Sequence, residues 1–265
     1  MAAGGEARLG IVKAVNRLTI VTGGSSGIGA ELARQSAEEG RDVLVVSRRP
    51  GSVGRHLAAD LAESAGWDVV STALGVELED VGDVELFHCA GVLTPIGFAG
   101  EVDPIEYRRN VILNGAAPAI LGDAFLRAVS DLDVEATLVL ITSGAARTAY
   151  PGWSGYCAGK AAVDHWTRTV GAEQSERKGA KVVAIAPGVV DTPMQREIRR
   201  TDSSDFPSVD RFRQMHAEGE LRDPAAVARH IRAVLGSLES GAVVDLRDLQ
   251  ADPPAGPDEP LTARN

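Results

Sequence analysis

Cysteine is scarce. Cys89 and Cys157 are the only two in 265 residues, a poor basis for a disulfide framework, and both read as small packing residues. Histidine is no better placed for a metal. His88, His165, His216 and His230 keep no ligand spacing with the cysteines or with one another, and His56 lies in a polar helical stretch, so no catalytic metal is expected. Positive charge is also short: the net charge is −10, with the charges dispersed, which argues against a nucleic-acid surface. No apolar run reads as long enough to span a membrane, and Met1 to Lys13 lacks the ordered regions of a signal peptide. A cytoplasmic protein without a membrane or nucleic-acid partner is expected. No internal repeat at a solenoid period is present either.

What remains is rich in small and apolar residues, 44% hydrophobic with 29 glycines, enough for one large α/β core. We read one domain over residues 18–250, preceded by an extension (1–17) and followed by a disordered tail (251–265) with four prolines. Strands are expected near 18–22, 42–47, 68–73, 84–88, 136–142, 181–186 and 242–246, with helices between most of them. Ala58 to Ala65 and Ala225 to Ala233 read as amphipathic helices. Seven strands in that rhythm predict a Rossmann-type, doubly wound parallel sheet with helices on both faces. The connection from Gly75 to Glu85 is too short for a full crossover helix, so a single turn or irregular chain is expected there.

The chemistry clusters at strand ends. Leu18 to Val21 runs into Thr22-Gly23-Gly24-Ser25-Ser26-Gly27-Ile28-Gly29 and then a helical pattern. A strand, a glycine-rich turn and a helix are the context of a dinucleotide cradle, because glycine allows close backbone approach and the helix N-terminus offers free N–H groups. Tyr156 and Lys160 are four apart, hence one turn apart on a helix face, an arrangement that brings a cation to a phenol and lowers its pKa. Ser143, thirteen residues before Tyr156, follows an apolar run and can hold a carbonyl oxygen while Tyr156 delivers a proton. Taken alone, a Tyr-x-x-x-Lys pair is also an ordinary helix surface. At the end of the second strand, Arg48 and Arg49 stand where an acid would select NAD; a guanidinium there suits the 2′-phosphate of NADP(H), Arg48 being the better placed, unless both are solvated loop charges.

With these residues in view, the chain resembles the short-chain dehydrogenase/reductase family over about Leu18 to Leu249. Thr22, Gly23, Gly27 and Gly29 match the family's glycine pattern, and Ser143, Tyr156 and Lys160 match its catalytic serine, tyrosine and lysine. Pro187-Gly188, with Val190 and Thr192, resembles the family's nicotinamide-side loop. The family's catalytic asparagine has two candidates, Asn110 and Asn114, and Asn114 in Asn-x-x-Ala-Pro is the closer match. The resemblance implies that Asn114 supports a water in a proton relay and that Lys160 also holds the nicotinamide ribose. His88-Cys89-Ala90-Gly91 keeps the small residues Ala90 and Gly91 beside the cofactor but loses both family amides, and Leu74-Gly75 lacks the aspartate that the family commonly places beside the adenine.

The ending Ser240 to Leu249 resembles the branch of sepiapterin reductases and bacterial benzil (diketone) reductases. In that branch Asp245 matches the aspartate that anchors a pterin; a solvated strand-end charge is the other reading. The resemblance thus implies an NADP(H)-dependent carbonyl reductase for a small ketone or 1,2-dicarbonyl compound. Ser143, Trp153, Tyr156, Asp245 and the segment from Met194 to Leu221 would then meet the substrate, in a homodimer or homotetramer. The reverse dehydrogenation is the same chemistry. A binding protein that senses or scaffolds NADP(H), with incidental catalysis, is the alternative, and the intact Asn114, Ser143, Tyr156 and Lys160 set argues against it.

Overall fold

The computed structural model describes residues 16–249. The expected extension and tail lie outside these residues, except that Asn16 and Arg17 open the first strand. The strands are β1 (Asn16–Thr22), β2 (Asp42–Ser47), β3 (Arg55–Ala58), β4 (Val81–His88), β5 (Glu135–Ile141), β6 (Lys181–Ala186) and β7 (Val243–Asp245). They form one parallel sheet in the order β3-β2-β1-β4-β5-β6-β7. The helices are α1 (Gly27–Glu38), α2 (Ser64–Glu77), α3 (Pro104–Val111), α4 (Ala117–Val129), α5 (Ser154–Arg177), α6 (Pro193–Arg200), α7 (Val209–Ala217) and α8 (Pro224–Leu235).

Alternation along the strands explains the two layers of helices. Successive side chains point to opposite faces, so Ile20, Leu138 and Leu140 pack with α2, α4 and α5 through Val70, Leu74, Leu121, Phe125 and Val163. Their neighbours Val21, Val139 and Ile141 pack with α1 and α8 through Leu32, Ala33, Val227 and Ile231. Both faces are buried, as a parallel sheet requires. At the end of the sheet away from the glycine turn, Arg41 pairs with Asp83 (2.6 Å) and donates to the Leu18 carbonyl (2.9 Å), tying the start of β2 to β1 and β4.

Four expectations need correction. The third strand is Arg55–Ala58, and the β-branched segment expected as strand 68–73 lies inside α2. Ala58 to Ala65 is correspondingly not a helix. With α2 ending at Glu77 and β4 starting at Val81, the crossover helix is present at full length, most of it before Gly75. Finally, α3, a five-residue π-helical turn (Ile112–Ala116) and α4 form one run, Pro104–Val129, that is long and apolar enough by length and composition to cross a membrane. Here its apolar side packs into the sheet core through Leu121, Phe125 and Val129, and the core helix of a globular domain passes the same test.

Close packing makes some glycines irreplaceable. A Cβ on Gly171 of α5 would overlap the backbone of Gly241, just before β7, whereas one on Gly236 at the end of α8 meets nothing within 4 Å. Gly171→Ala is expected to lower stability by about 2 kcal/mol or more, and Gly236→Ala to raise it by about 0.5 kcal/mol, because its backbone is already helical. Denaturant midpoints of the two variants test the contrast.

Candidate active site

A cavity of about 920 Å³ opens over the C-terminal ends of the strands, where β1 and β4 are neighbours and the chain order reverses. That is the switch point at which open α/β sheets bind ligands. The glycine turn forms one wall. Gly23 has φ +69°, and a Cβ there would stand 2.8 Å from the backbone of Ala90. A Cβ on Gly29 would stand 2.6 Å from the Gly23 carbonyl. α1 starts at Gly27 (φ +56°), its N-cap Ser26 makes no side-chain cap, and its first backbone bond is from Ala30 N–H. The N–H groups of the first turn are therefore available to an anion. Ser25, Ser26 and Ile28 line the same wall.

Arg48 and Arg49 follow β2 and also line the cavity, with the Ser47 hydroxyl donating to the Arg49 carbonyl (2.5 Å). Beyond them stands Asp60, just past the true third strand. One of its oxygens accepts from Ala62 N–H (3.0 Å) and the other from Arg109 (2.7 Å). The strand expected to end at Leu74-Gly75 had no acid after it; the true third strand is followed by Asp60, which lines the cavity, and the misplaced strand hid it.

At the other end Ser143 follows β5, while Tyr156 and Lys160 lie one turn apart on α5, and all three line the cavity. Burial pushes the Tyr156 phenol up to about 12, with the Ser143 hydroxyl pulling the other way. Burial also pushes Lys160 down to about 8, opposed by Cys89 and the buried Asp164. Lys160 Nζ donates to the Ile141 carbonyl (2.8 Å) and lies 5.7 Å from the Tyr156 ring centre. The expected lowering of the tyrosine by the lysine is therefore not the dominant effect in this geometry; desolvation is. Asp164, one turn beyond Lys160, accepts from the Thr142 hydroxyl (2.5 Å), and Tyr-x-x-x-Lys-x-x-x-Asp was the signal that would have found it.

Both asparagines are buried and both are used. Asn114, in the π-helical turn, donates to the Val92 carbonyl (2.8 Å) and to Asn110 (3.0 Å), and accepts from Val92 N–H (3.1 Å). Asn110 donates to the carbonyls of Leu93 (3.0 Å) and Thr94 (2.9 Å). The pair clamps the loop after β4. Neither side chain lines the cavity, and their link to it is Val92, which does.

The chain matches the family model for short chain dehydrogenases over residues 17–203. It belongs to the short chain dehydrogenase family. Benzil reductase ((S)-benzoin forming) of Bacillus subtilis is 34% identical over 87% of this chain and 98% of its own length. Sepiapterin reductase of Rattus norvegicus is 32% identical over 87% of this chain and 96% of its own. A short chain dehydrogenase/reductase structure from Saccharomyces cerevisiae superposes with a TM-score of 0.74 at 22% identity, covering 91% of this chain and 97% of that one. This family consists of oxidoreductases that bind nicotinamide cofactors, and the two curated relatives belong to the branch that the C-terminal segment resembles.

For this family member the structure gathers nearly all the residues singled out from sequence. The glycine turn, Arg48, Arg49, Ala90, Gly91, Ser143, Trp153, Tyr156, Lys160, Pro187, Gly188, Val190 and Thr192 all line one cavity. Beside them Tyr150, Trp153, Phe206 and Phe212 make an aromatic wall, Trp153 stacking on Phe206 at 4.2 Å. Asn114 is one exception and Asp245 is the other. Asp245 is 5% exposed and does not line the cavity, and its oxygens accept from Arg247 Nε (2.9 Å), Nη2 (2.7 Å) and N–H (3.0 Å). The carboxylate expected to anchor a substrate is already occupied.

The buried ammonium sets a pH test. Because the folded chain holds Lys160 near 8, below its ordinary 10.5, the unfolded chain binds more protons between those values, and stability from this group rises with pH across that window. Relative to Lys160→Met, the parent protein should gain up to about 3 kcal/mol between pH 7 and 10.5. A stability difference that stays flat in chemical denaturation across that range would show the ammonium to be solvated.

Proposed function

We propose that this chain is an NADP(H)-dependent carbonyl reductase acting on a small ketone or 1,2-dicarbonyl compound. The observation that carries the reading is the convergence, in one cavity, of the glycine turn with Arg48 at one end and Ser143, Tyr156 and Lys160 beside an aromatic wall at the other. The residues fit a dinucleotide. Side chains are excluded where Gly23 meets Ala90, the first turn of α1 offers its N–H groups, and Arg48 supplies a guanidinium. Gly23 to Gly29 would hold the pyrophosphate, Arg48 and Arg49 the 2′-phosphate, Lys160 the nicotinamide ribose, and Pro187 to Thr192 the nicotinamide end. When bound, the reduced cofactor supplies the hydride for the carbonyl carbon.

The chain's own residues supply the rest. Burial keeps the Tyr156 phenol protonated at neutral pH, which is the form that donates to a carbonyl oxygen in reduction. Ser143 orients that oxygen, and Asn110 and Asn114 fix the loop at Val92 that borders it. The benzil and sepiapterin reductases to which the chain is similar are named for dicarbonyl and related substrates, which supports the substrate class.

Oxidation of NADPH on mixing with benzil and smaller diketones tests the reading; binding of NADPH without turnover across the panel would favour a sensor or scaffold. Tyr156→Phe is expected to cut kcat by about 10²–10⁴-fold while NADPH affinity, followed by fluorescence titration, stays within about threefold. Arg48→Asp should lower the ratio of kcat/KM for NADPH over NADH by about 10- to 100-fold, the worth of a charge-assisted hydrogen bond. An unaltered ratio would place phosphate recognition elsewhere.

A further inference from the structure

We propose that Arg247 recognises a carboxylate on the substrate, so that the preferred carbonyl compounds are oxo acids with an aryl or similar apolar group, and that Asp245 is the residue positioning it. This deepens the carbonyl reductase reading and rests on it. The chain carries a net charge of −10, yet its cavity is lined by seven cationic side chains and two carboxylates. Arg48, Arg49, Lys160 and Asp60 belong to the cofactor end. The remainder is four guanidinium groups against Glu197 alone. Among them Arg196, Arg200 and Arg211 are exposed, their side chains hydrogen-bonded to no partner among the described residues, whereas Arg247 is held in place.

The geometry of that hold matters. Asp245 engages the Nε and Nη2 edge of Arg247 side-on, consuming two of the five N–H donors of a guanidinium and leaving three. Asp248, adjacent to Arg247 and exposed, is the next carboxylate along the chain. The Arg247 stem passes over the nicotinamide-side loop, its Cδ 3.3 Å from the Cβ position of Gly188, and Nη2 lies 4.0 Å from the Cβ position of Gly144, next to Ser143. A cation is thereby fixed between the two loops that flank the reacting carbonyl, with the aromatic wall in the same cavity. Fixed, planar donors match a carboxylate. An oxo acid reduced here takes a hydride at the carbonyl carbon and a proton at its oxygen, giving a hydroxy acid with the carboxylate unchanged and the nicotinamide cofactor oxidised.

Phenylglyoxylate, its methyl ester and benzil, each with NADPH and the full chain, make the test. Arg247→Gln should lower the acid-to-ester ratio of kcat/KM at least tenfold, mainly by raising KM for the acid. Asp245→Asn should raise the acid's KM with little effect on the ester's, a split that general destabilisation would not produce. The double variant Asp245→Asn with Arg247→Gln leaves no buried unpaired charge and should show the same lowered ratio. An acid-to-ester ratio that stays within twofold in Arg247→Gln and in the double variant, or a parent enzyme that reduces ester and benzil but not the acid, overturns the proposal. Turnover of none of the three compounds fails the carbonyl reductase reading itself, and the carboxylate site with it.

Discussion

The backbones of Gly23 and Ala90 pass so close that no side chain fits between them. This contact follows from β1 and β4 lying side by side at the centre of the sheet, and the site depends on it. From that point α1 leaves on one face and the loop to α3 turns to the other, so a crevice opens that the chain does not fill. The Thr22 hydroxyl fastens the same spot, meeting the His88 ring (3.1 Å) and Ala90 N–H (3.3 Å). His88 and Cys89 replace the family's amides without loosening it, because the backbone, through Cys89 N–H on the Thr22 carbonyl, makes the closure.

Electrostatics divide the crevice. Burial disfavours charge on Tyr156 and Lys160: it keeps the tyrosine neutral and lowers the lysine. The cations that remain exposed stand at its two ends. A protein whose outer charge is negative thus presents a positive interior edge, and anionic ligands are drawn to the cavity rather than to the surface at large.

Local patterns were legible in the sequence; side-chain partnerships were not. The glycine turn, the Tyr156 and Lys160 spacing and Ser143 at a strand end are set by geometry over a few residues, and all meet in the cavity. The third strand was misread because Val69, Val70 and Thr72 have strand propensity, yet tertiary packing of Val70 and Leu74 onto the sheet makes their segment helical. The real β3 is four residues long, half polar, and pairs with β2 alone, as an edge strand does. That one error also hid Asp60. Asp245 was hard to read for another reason: the branch resemblance placed it at the substrate, and only side-chain geometry shows that Arg247, two residues on, engages its carboxylate.

The π-helical turn at Ile112–Ala116 carries a consequence for how this enzyme tolerates changes in length. Such a turn holds one residue more than an α-helical turn, and it is this surplus residue that aims Asn114 at Val92 while α4 continues in register with the core. Removing one residue from the turn would heal the helix and improve its internal bonding, and because the wider turn had absorbed that residue, α3 and α4 would stay in register with the core. What would be lost is the aim of the asparagine inside the turn, and with it the clamp on Val92. The chain is therefore locally intolerant to a deletion that, by helix propensity alone, should be welcome.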